Sequence, residues 1–349
     1  LFCFGCGPLL DFENKALLVF FLLYIKQFSK ENGATYLEID STFLYQKRGP
    51  NGEVVEKAKD ELIEAFKKNG FHHDGFTTGY ERSVPRWSFV KDLQGLDEKT
   101  LLKSYTKEAI YSVKKTSQFG IQLRELGFDE LDKFKALTTH TAERREFQDK
   151  TLEYYQLFYK TFKEKAKFIV AEINFKTYIE NLRKREAELQ TKLNRIAENL
   201  EKTPNSSKML NQQKEFNAQM STQEKRILEA EEFLKQEGEG DVILAGGLFV
   251  FNKKRTTYLF SGTYEQYKNF YAPFLIQHEM MLETLKRGGD IYDFYGIQGK
   301  FDGSDGVLKF KQSFNGHVEE KVGYFETPIR PITYKIYKLL HAASKRLRG

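Results

Sequence analysis

The hydrophobic pattern of the first quarter of the chain predicts a mixed α/β unit over residues 1–92. Apolar residues recur at helical spacing across 14–32, which predicts an amphipathic helix. The alternating stretch 36–40 predicts a short strand that ends at Asp40. A second helix is predicted over 55–68, because an Asn-Gly pair follows it.

The middle of the chain continues the α/β pattern. Residues 97–115 predict one basic helix, and 120–126 predict a strand. Helices are predicted over 129–141 and 149–165. The β-branched stretch 168–173 predicts a further strand.

Residues 174–237 carry a seven-residue repeat of apolar positions, interrupted by Thr203, Pro204 and Asn205. The repeat predicts two helices in an antiparallel coiled coil, each of about 28 residues and roughly 40 Å long. Such a hairpin returns the chain to its starting point, so the strands on either side of it should be neighbours. The arm is therefore predicted to be an insertion into one domain. The repeat positions are Phe175, Ile179, Leu182, Leu189, Leu193, Ile196 and Leu200 in the first helix, and Met209, Phe216, Met220, Ile227, Ala230 and Leu234 in the second.

After the arm, the alternating pattern predicts a strand hairpin over 242–252 and 256–261. A helix over 272–286 and a strand over 291–295 follow. Lys309 and Lys311 alternate with Leu308 and Phe310. This alternation predicts a strand with both lysines on one face.

Composition places the chain among folded proteins of two or three domains. It has 349 residues, of which 40% are hydrophobic and 30% charged, so neither disorder nor a membrane-spanning chain is expected. Aromatic residues make up 15%, which favours clefts lined with rings. The net charge of +6 permits a polyanionic partner without requiring one.

The two cysteines, Cys3 and Cys6, exclude a disulfide scaffold and a four-cysteine zinc site. Their spacing fits a redox pair, but strand residues are the favoured interpretation because no thioredoxin-like context follows. The longest apolar run, 16–25, is too short to cross a bilayer. We therefore expect a cytoplasmic protein.

Known catalytic motifs are absent from the sequence. It contains no G-x-S-x-G, no H-E-x-x-H and no phosphate-binding P-loop, and its six histidines are scattered. Gly296 and Gly299 follow a predicted strand but lack the third glycine of a dinucleotide fingerprint. The richest candidate is the segment 269–314, where glycine turns at strand ends leave backbone N–H groups accessible to a ligand.

This segment, with the heptad hairpin inserted before it, resembles the FemABX family of peptidoglycan-bridge aminoacyltransferases. The resemblance runs over nearly the whole chain, from Gly7-Pro8-Leu9-Leu10 through Glu153-Tyr154-Tyr155 to Lys309-Phe310-Lys311. It implies an α/β fold of two acetyltransferase-like (GNAT-like) domains with an inserted coiled-coil arm. The domain limits would be 1–102 for a first domain without its opening strands, 103–173 with 238–349 for the second, and 174–237 for the arm.

The resemblance also implies transfer of Ala, Ser or Gly from aminoacyl-tRNA to an amine of a peptidoglycan precursor, with no cofactor or metal. An aminoacyl ester is already activated, so no nucleophilic serine or cysteine is needed. By position in the family motifs, Lys311 would stabilise the oxyanion and Asp40 would orient or deprotonate the amine. Phe310, Tyr154 and Lys150 would bind substrate, and the family's tyrosine in the strand hairpin corresponds to either Tyr258 or Phe260.

The tRNA would be held through its phosphates, by Lys107, Lys114, Lys115, Lys338 and Arg346. From residue 327 onward the chain has no acidic residue, and it predicts an amphipathic basic helix. A solvated helix packed on the core and a contact with the inner membrane surface are the alternatives for that helix. For the whole chain, the alternatives are an acyl-CoA-dependent N-acyltransferase and a non-catalytic module that binds tRNA or a protein partner.

Overall fold

The structure of the protein is a computed structural model that describes residues 2–5, 7–80 and 84–348. Cys6 lies outside these ranges, so the interpretation of the Cys3–Cys6 pair stays a prediction. The described strands are β1 (Phe2–Gly5), β2 (Tyr36–Arg48), β3 (His72–His73), β4 (Trp87–Asp92), β5 (Gln122–Glu125), β6 (Ala166–Asn174), β7 (Asp241–Phe251), β8 (Arg255–Thr263), β9 (Ile291–Ile297) and β10 (His317–Pro328).

The helices cover both faces of the sheet formed by these strands, and one pair extends away as the arm. They are α1 (Lys15–Glu31), α2 (Asp60–Lys68), α3 (Glu98–Lys103), α4 (Lys107–Phe119), α5 (Leu131–Arg145), α6 (Leu152–Phe162), α7 (Phe175–Lys202), α8 (Ser207–Glu237), α9 (Ala272–Lys286), α10 (Gly306–Gln312) and α11 (Pro331–Arg348). The predicted α/β fold class is confirmed. None of the helices within the described ranges is both long and apolar enough to cross a membrane.

The strands form one mixed sheet in the order β1-β2-β10-β4-β9-β8-β7-β6-β5. The last of the described strands, β10, lies between β2 and β4 and pairs antiparallel with both. The predicted domain limits assigned all of 238–349 to the second domain, whereas the pairing places β10 among strands of the first 102 residues. The division into two domains stays a prediction.

Hydrogen bonds determine where the first two helices begin and how far strand β2 extends. The Asn14 side chain accepts a hydrogen bond from the Leu17 N–H at 3.0 Å, which caps the start of α1. Helix α2 begins at Asp60 and not at residue 55, because the preceding segment runs beside β2: the N–H of Lys59 donates to the carbonyl of Tyr45. The predicted strand 36–40 is longer than expected, since β10 supplies a partner along β2 as far as Arg48.

The predicted coiled-coil arm is confirmed. Helices α7 and α8 pack along each other, and β6 and β7, which flank them, are antiparallel neighbours. Within the arm, the buried Gln223 side chain donates to the Leu182 carbonyl at 2.7 Å. At its base, Phe175 and Phe233 pack on Phe270, so the arm is anchored to the central core.

Two predicted elements are wrong. The basic helix over 97–115 is divided into α3 and α4, because the Thr106 side chain caps a new helix at the N–H of Ala109. The predicted strand around Lys309 and Lys311 is helix α10, which the Asp305 carboxylate caps. In a helix, these two lysines point in different directions: Lys309 is exposed and Lys311 is buried.

Glycine at position 262 permits the close packing of β8 on α5. A Cβ at Gly262 would lie 2.6 Å from the Leu137 carbonyl oxygen. We expect Gly262→Ala to lower the free energy of unfolding by about 1–3 kcal/mol, because backbone atoms must move apart. Gly240→Ala, where no atom lies within 4 Å, is the control and should stay within about 0.5 kcal/mol. Urea denaturation measures both; equal effects would contradict this packing argument.

Candidate active site

A cavity opens where two parallel strands separate. Strands β8 and β9 are paired at only three positions, of which the last joins Thr257 to Asp293. Beyond it, β8 continues beside β7 and β9 continues beside β4. The gap holds a cavity of about 450 Å³, lined by residues from Tyr258 onward in β8 and from Phe294 onward in β9.

A bulge in β9 directs backbone carbonyls towards this cavity. Between its pairs with Val90 and Ser88 of β4, β9 contains one extra residue, and Tyr295 has a φ of 64°. The Tyr295 N–H donates to the Asp293 carboxylate at 2.7 Å, which fixes the turn. The next position must be glycine, because a Cβ at Gly296 would lie 2.9 Å from Pro85.

The side chain of Lys311, in α10, contacts the bulge in β9. Its side chain is 5% exposed, and its Nζ donates to the Gly296 carbonyl at 2.6 Å and to the Tyr295 carbonyl at 3.4 Å. Burial lowers the pKa of Lys311 from 10.5 to about 7, although the nearby carboxylates of Asp293 and Asp305 act in the opposite direction. Lys311 therefore exchanges its proton near neutral pH, inside a cavity that is open to solvent on one side.

Aromatic side chains form much of the cavity wall. Phe310 packs edge-on against Phe274, with ring centroids 5.0 Å apart. Tyr258 stacks on Phe249 at 5.1 Å, and burial raises its pKa to about 12, so its hydroxyl stays protonated. Phe260 also lines the cavity. The choice between Tyr258 and Phe260 therefore stays open, because both contribute to the same wall.

Several lining residues were not predicted from the sequence, among them Tyr80, Arg144 and Arg145. Tyr80 donates from its hydroxyl to the Gly296 carbonyl at 3.4 Å, and Arg144 and Arg145 bring positive charge to the cavity. These residues come from a loop and from the last turn of α5, far apart in the chain. Adjacent arginines at the end of a helix are an ordinary surface feature, so the sequence carried no signal that they line the same cavity as Lys311.

Tyr154 packs against Phe260 of the cavity wall, and Lys150 packs against Tyr154. The Lys150 ammonium lies 5.4 Å from the centre of the Tyr154 ring, and the Tyr154 ring meets Phe260 edge-on at 6.0 Å. Since Phe260 lines the cavity, the pair stands beside its rim and not within it. Both side chains are accessible enough to contact a ligand that extends out of the cavity.

Asp40 is not among the residues that line the cavity of Lys311. It belongs to β2 and pairs with Gly5 on one side and Tyr324 on the other. It lines a cleft of only about 20 Å³ together with Asp74 and Arg86. The cleft and the cavity of Lys311 share none of the described lining residues, but they adjoin, because Pro85 lines the cavity while Val84 and Arg86 line the cleft.

The predicted tRNA-binding residues are divided between two helices. Lys107 and Lys114 are exposed on α4, and Lys115 is half-buried there. On α11, the Lys338 ammonium lies 3.0 Å from the Glu326 carboxylate, so part of its charge is already compensated. The Arg346 side chain lies outside the part of the chain that the structure describes.

The functional groups of the side chains that line the cavity determine which reactions it can support. Its described residues supply cations, hydroxyls and aromatic rings, but no carboxylate, imidazole or thiol. Among the described lining residues, Lys311 has a pKa that would let it act as a base near neutral pH, but its Nζ contacts the backbone carbonyls of Tyr295 and Gly296. Elsewhere in the described residues, no three His, Cys, Asp or Glu side chains are grouped as metal ligands would be.

Residues 1–342 match the FemAB family. The chain is 30% identical over 344 residues to aminoacyltransferase FemA of Staphylococcus epidermidis, covering 97% of this chain and 82% of that protein. It is 30% identical over 346 residues to aminoacyltransferase FemA of Staphylococcus aureus, covering 98% and 82%. The crystal structure of FemX has the same fold, with a TM-score of 0.72, 21% identity, and coverage of 96% of this chain and 82% of that one.

The lowered pKa of Lys311 predicts a pH-dependent contribution to stability. Between about pH 7 and 10.5 the unfolded chain keeps the proton that the native lysine has lost. Stability from this group therefore rises with pH across that window. We expect the free energy of unfolding of wild type, measured relative to Lys311→Met, to increase from pH 7 to pH 10. Parallel curves for the two proteins would show that Lys311 titrates normally.

Proposed function

This chain belongs to the FemAB family and is an aminoacyltransferase, and from that premise we propose that it transfers an amino acid from aminoacyl-tRNA to an amine of a peptidoglycan precursor. The single observation that supports the chemistry best is the buried ammonium of Lys311, held by two backbone carbonyls at one end of an open cavity. A positive charge held in a site of low polarity stabilises an oxyanion more strongly than one in water.

The donor in this proposal is an ester that is activated before it arrives. Lys311 donates to two backbone carbonyls and not to a lining hydroxyl, so the described lining residues form no hydrogen-bonded pair of nucleophile and base that would support an acyl-enzyme intermediate. An aminoacyl ester needs none, because an amine attacks it directly. The aromatic wall around Tyr258 and Phe310 suits the ring system of a terminal nucleotide.

The proposed reaction has one covalent exchange. The acceptor nitrogen forms a bond to the ester carbonyl carbon, and the carbonyl oxygen becomes an oxyanion beside Lys311. The bond from that carbon to the ribose oxygen then breaks, which leaves an amide on the acceptor and a free ribose hydroxyl on the tRNA. The proton lost by the amine balances the proton gained by the ribose oxygen.

The proposed acceptor is the lysine side chain of a stem peptide, or a residue already attached to it. Tyr154 and Lys150 lie outside the cavity beside Phe260 of its wall, and in this proposal they contact the phosphates of a lipid-linked or nucleotide-linked precursor. For Asp40 to orient or deprotonate the amine, the acceptor must extend from the Lys311 cavity to the cleft in which Asp40 lies. A flexible peptide meets that requirement better than a small amine. We place the enzyme in the cytoplasm, with a precursor bound to lipid bringing it to the inner face of the membrane.

Incubation with tRNAs charged separately with Ala, Ser and Gly, together with a lysine-containing precursor, tests the proposal. We expect the precursor to gain the mass of one amino acid residue with at least one of the three donors. Acetyl-CoA in place of the charged tRNA is the competing donor. A product formed only from acetyl-CoA would contradict the proposal.

Lys311→Met tests the proposed role of the ammonium. We expect kcat to fall by about 100–1,000-fold, because one preorganised partner of the oxyanion is lost. Lys309→Met, two residues away on the exposed face of α10, removes the same charge and should leave kcat within about two-fold. Single-turnover rates with saturating charged tRNA separate this effect from binding. Equal losses of kcat in both variants would show that the effect comes from removing any positive charge on α10 and not from the buried position of the Lys311 ammonium.

A further inference from the structure

A short loop connects the bulged strand β9 to the helix that carries Lys311. It runs over residues 298–305, between the end of β9 and the start of α10. Residues 300 and 302–304 of this loop are exposed, whereas Asp305, its last residue, is only 5% exposed. A carboxylate buried to this degree is costly unless other groups donate hydrogen bonds to it.

The Asp305 carboxylate joins α10 to the end of β9 by accepting hydrogen bonds from three backbone N–H groups. Its Oδ1 accepts from Val307 at 2.9 Å and from Leu308 at 3.1 Å, which caps the first turn of α10. Its Oδ2 accepts from Gln298 at 3.2 Å, at the other end of the loop. A helix cap needs only the first two bonds, so the third bond gives Asp305 a second role in closing the loop.

Gln298 is linked in turn to the carbonyl that holds Lys311. The Gln298 carbonyl accepts a hydrogen bond from the Gly79 N–H at 2.8 Å, and the next residue, Tyr80, donates to the Gly296 carbonyl at 3.4 Å. The same Gly296 carbonyl accepts from the Lys311 Nζ at 2.6 Å. The buried carboxylate is therefore connected to the lysine through α10 and to the acceptor of the lysine through Gln298.

Asp305 also carries a negative charge that no cation compensates among the described residues, because its hydrogen bonds come from neutral N–H groups. Asp293, the other buried carboxylate near Lys311, differs in this respect. It pairs with Arg255 at 3.0 Å, and Arg255 pairs with Glu319 as well. Burial lowers the pKa of Lys311 to about 7, and the charges of Asp293 and Asp305 oppose this fall.

We propose that Asp305 is a positioning residue for the transfer reaction: its carboxylate fixes α10 against the end of β9 and supplies negative charge that keeps the Lys311 side chain an ammonium. The inference rests on the proposed function, in which that ammonium stabilises the oxyanion, and adds what maintains it. Capping alone requires neither the bond to Gln298 nor a full charge, since neutral Ser and Asn cap helices about as well as Asp.

Asp305→Asn and Asp305→Ser test the proposal, because both substitutions keep a capping side chain and remove the charge. Asp302→Asn, at an exposed carboxylate of the same loop, removes an equal charge and is the control. If Asp305 were only a helix cap, all three variants would behave as wild type does.

The ionisation of Lys311 is measured without substrate, by urea denaturation across a range of pH. For wild type, the free energy of unfolding relative to Lys311→Met should rise with pH between about 7 and 10.5. For Asp305→Asn, relative to Asp305→Asn with Lys311→Met, we expect the rise to begin about 1 pH unit lower, because the ammonium has lost a nearby negative charge. Asp305→Ser should give the same shift, and Asp302→Asn none. An unchanged or higher onset in both Asp305 variants would overturn the proposal.

The comparison with Lys311→Met assigns the onset to Lys311 and not to its neighbours. Burial raises the pKa of Tyr258 to about 12 and also raises that of Tyr80, so both hydroxyls stay protonated where Lys311 titrates. An arginine keeps its charge throughout. The titratable and charged groups that line the cavity with Lys311 or flank the bulge are Tyr80, Arg144, Arg145, Tyr258, Asp293 and Tyr295.

Single-turnover transfer rates test whether the charge of Asp305 serves the reaction. Lys311 stabilises an oxyanion only while it is protonated, so a lower pKa costs more activity at higher pH. We expect Asp305→Asn to lower kcat about 10-fold at pH 8 but only about two-fold at pH 6. Asp302→Asn should stay within about two-fold of wild type at both. Equal losses at the two pH values would overturn the proposal. If wild type transfers from no charged tRNA, the proposed function fails, while a lowered onset of the stability rise would still support the position of Asp305.

Discussion

The separation of β8 from β9 after three residue pairs is the constraint on which the rest of the site depends. Each strand keeps a partner on its outer side, β7 and β4 respectively, so the sheet remains continuous while its middle opens. Backbone groups that would otherwise pair across the gap become available to a side chain or a ligand. The cavity is therefore a product of strand pairing, and the side chains around it supply its chemistry.

The surroundings of the Lys311 ammonium show how the gap between β8 and β9 accommodates a buried charge. A buried ammonium is costly unless polar groups surround it. The bulge at Tyr295 provides two carbonyl oxygens for this purpose, and Asp293 holds the bulge in shape. The buried charge of Lys311 therefore depends on the bulge, and the bulge in turn needs glycine at position 296, where a Cβ would lie 2.9 Å from Pro85. The resulting site favours a reaction whose substrate arrives activated, since the protein contributes charge and orientation.

Elements with a long periodic signal were predictable from the sequence. The arm carries its repeat over many turns, and the predicted helix over 272–286 coincides with α9. Helix α10 was missed because its seven residues hold too few turns to show a helical period, and a short alternation of lysine with apolar residues imitates a strand. The available sequence signal was Asp305 followed by glycine, because an aspartate in that position can cap the start of a helix. The meeting of Tyr80 and Arg145 with Lys311 depends on tertiary contacts, which no local pattern encodes.

The position of β10 has a consequence for synthesis of the chain. Strands β2 and β4 are synthesised well before β10, the strand that lies between them in the sheet. During translation, the edges of β2 and β4 that face β10 must wait for more than two hundred residues before they can pair. Contacts so distant in sequence slow folding and leave strand edges open to wrong partners. The part of the sheet around β2 and β4 is therefore completed only after β10 has been synthesised.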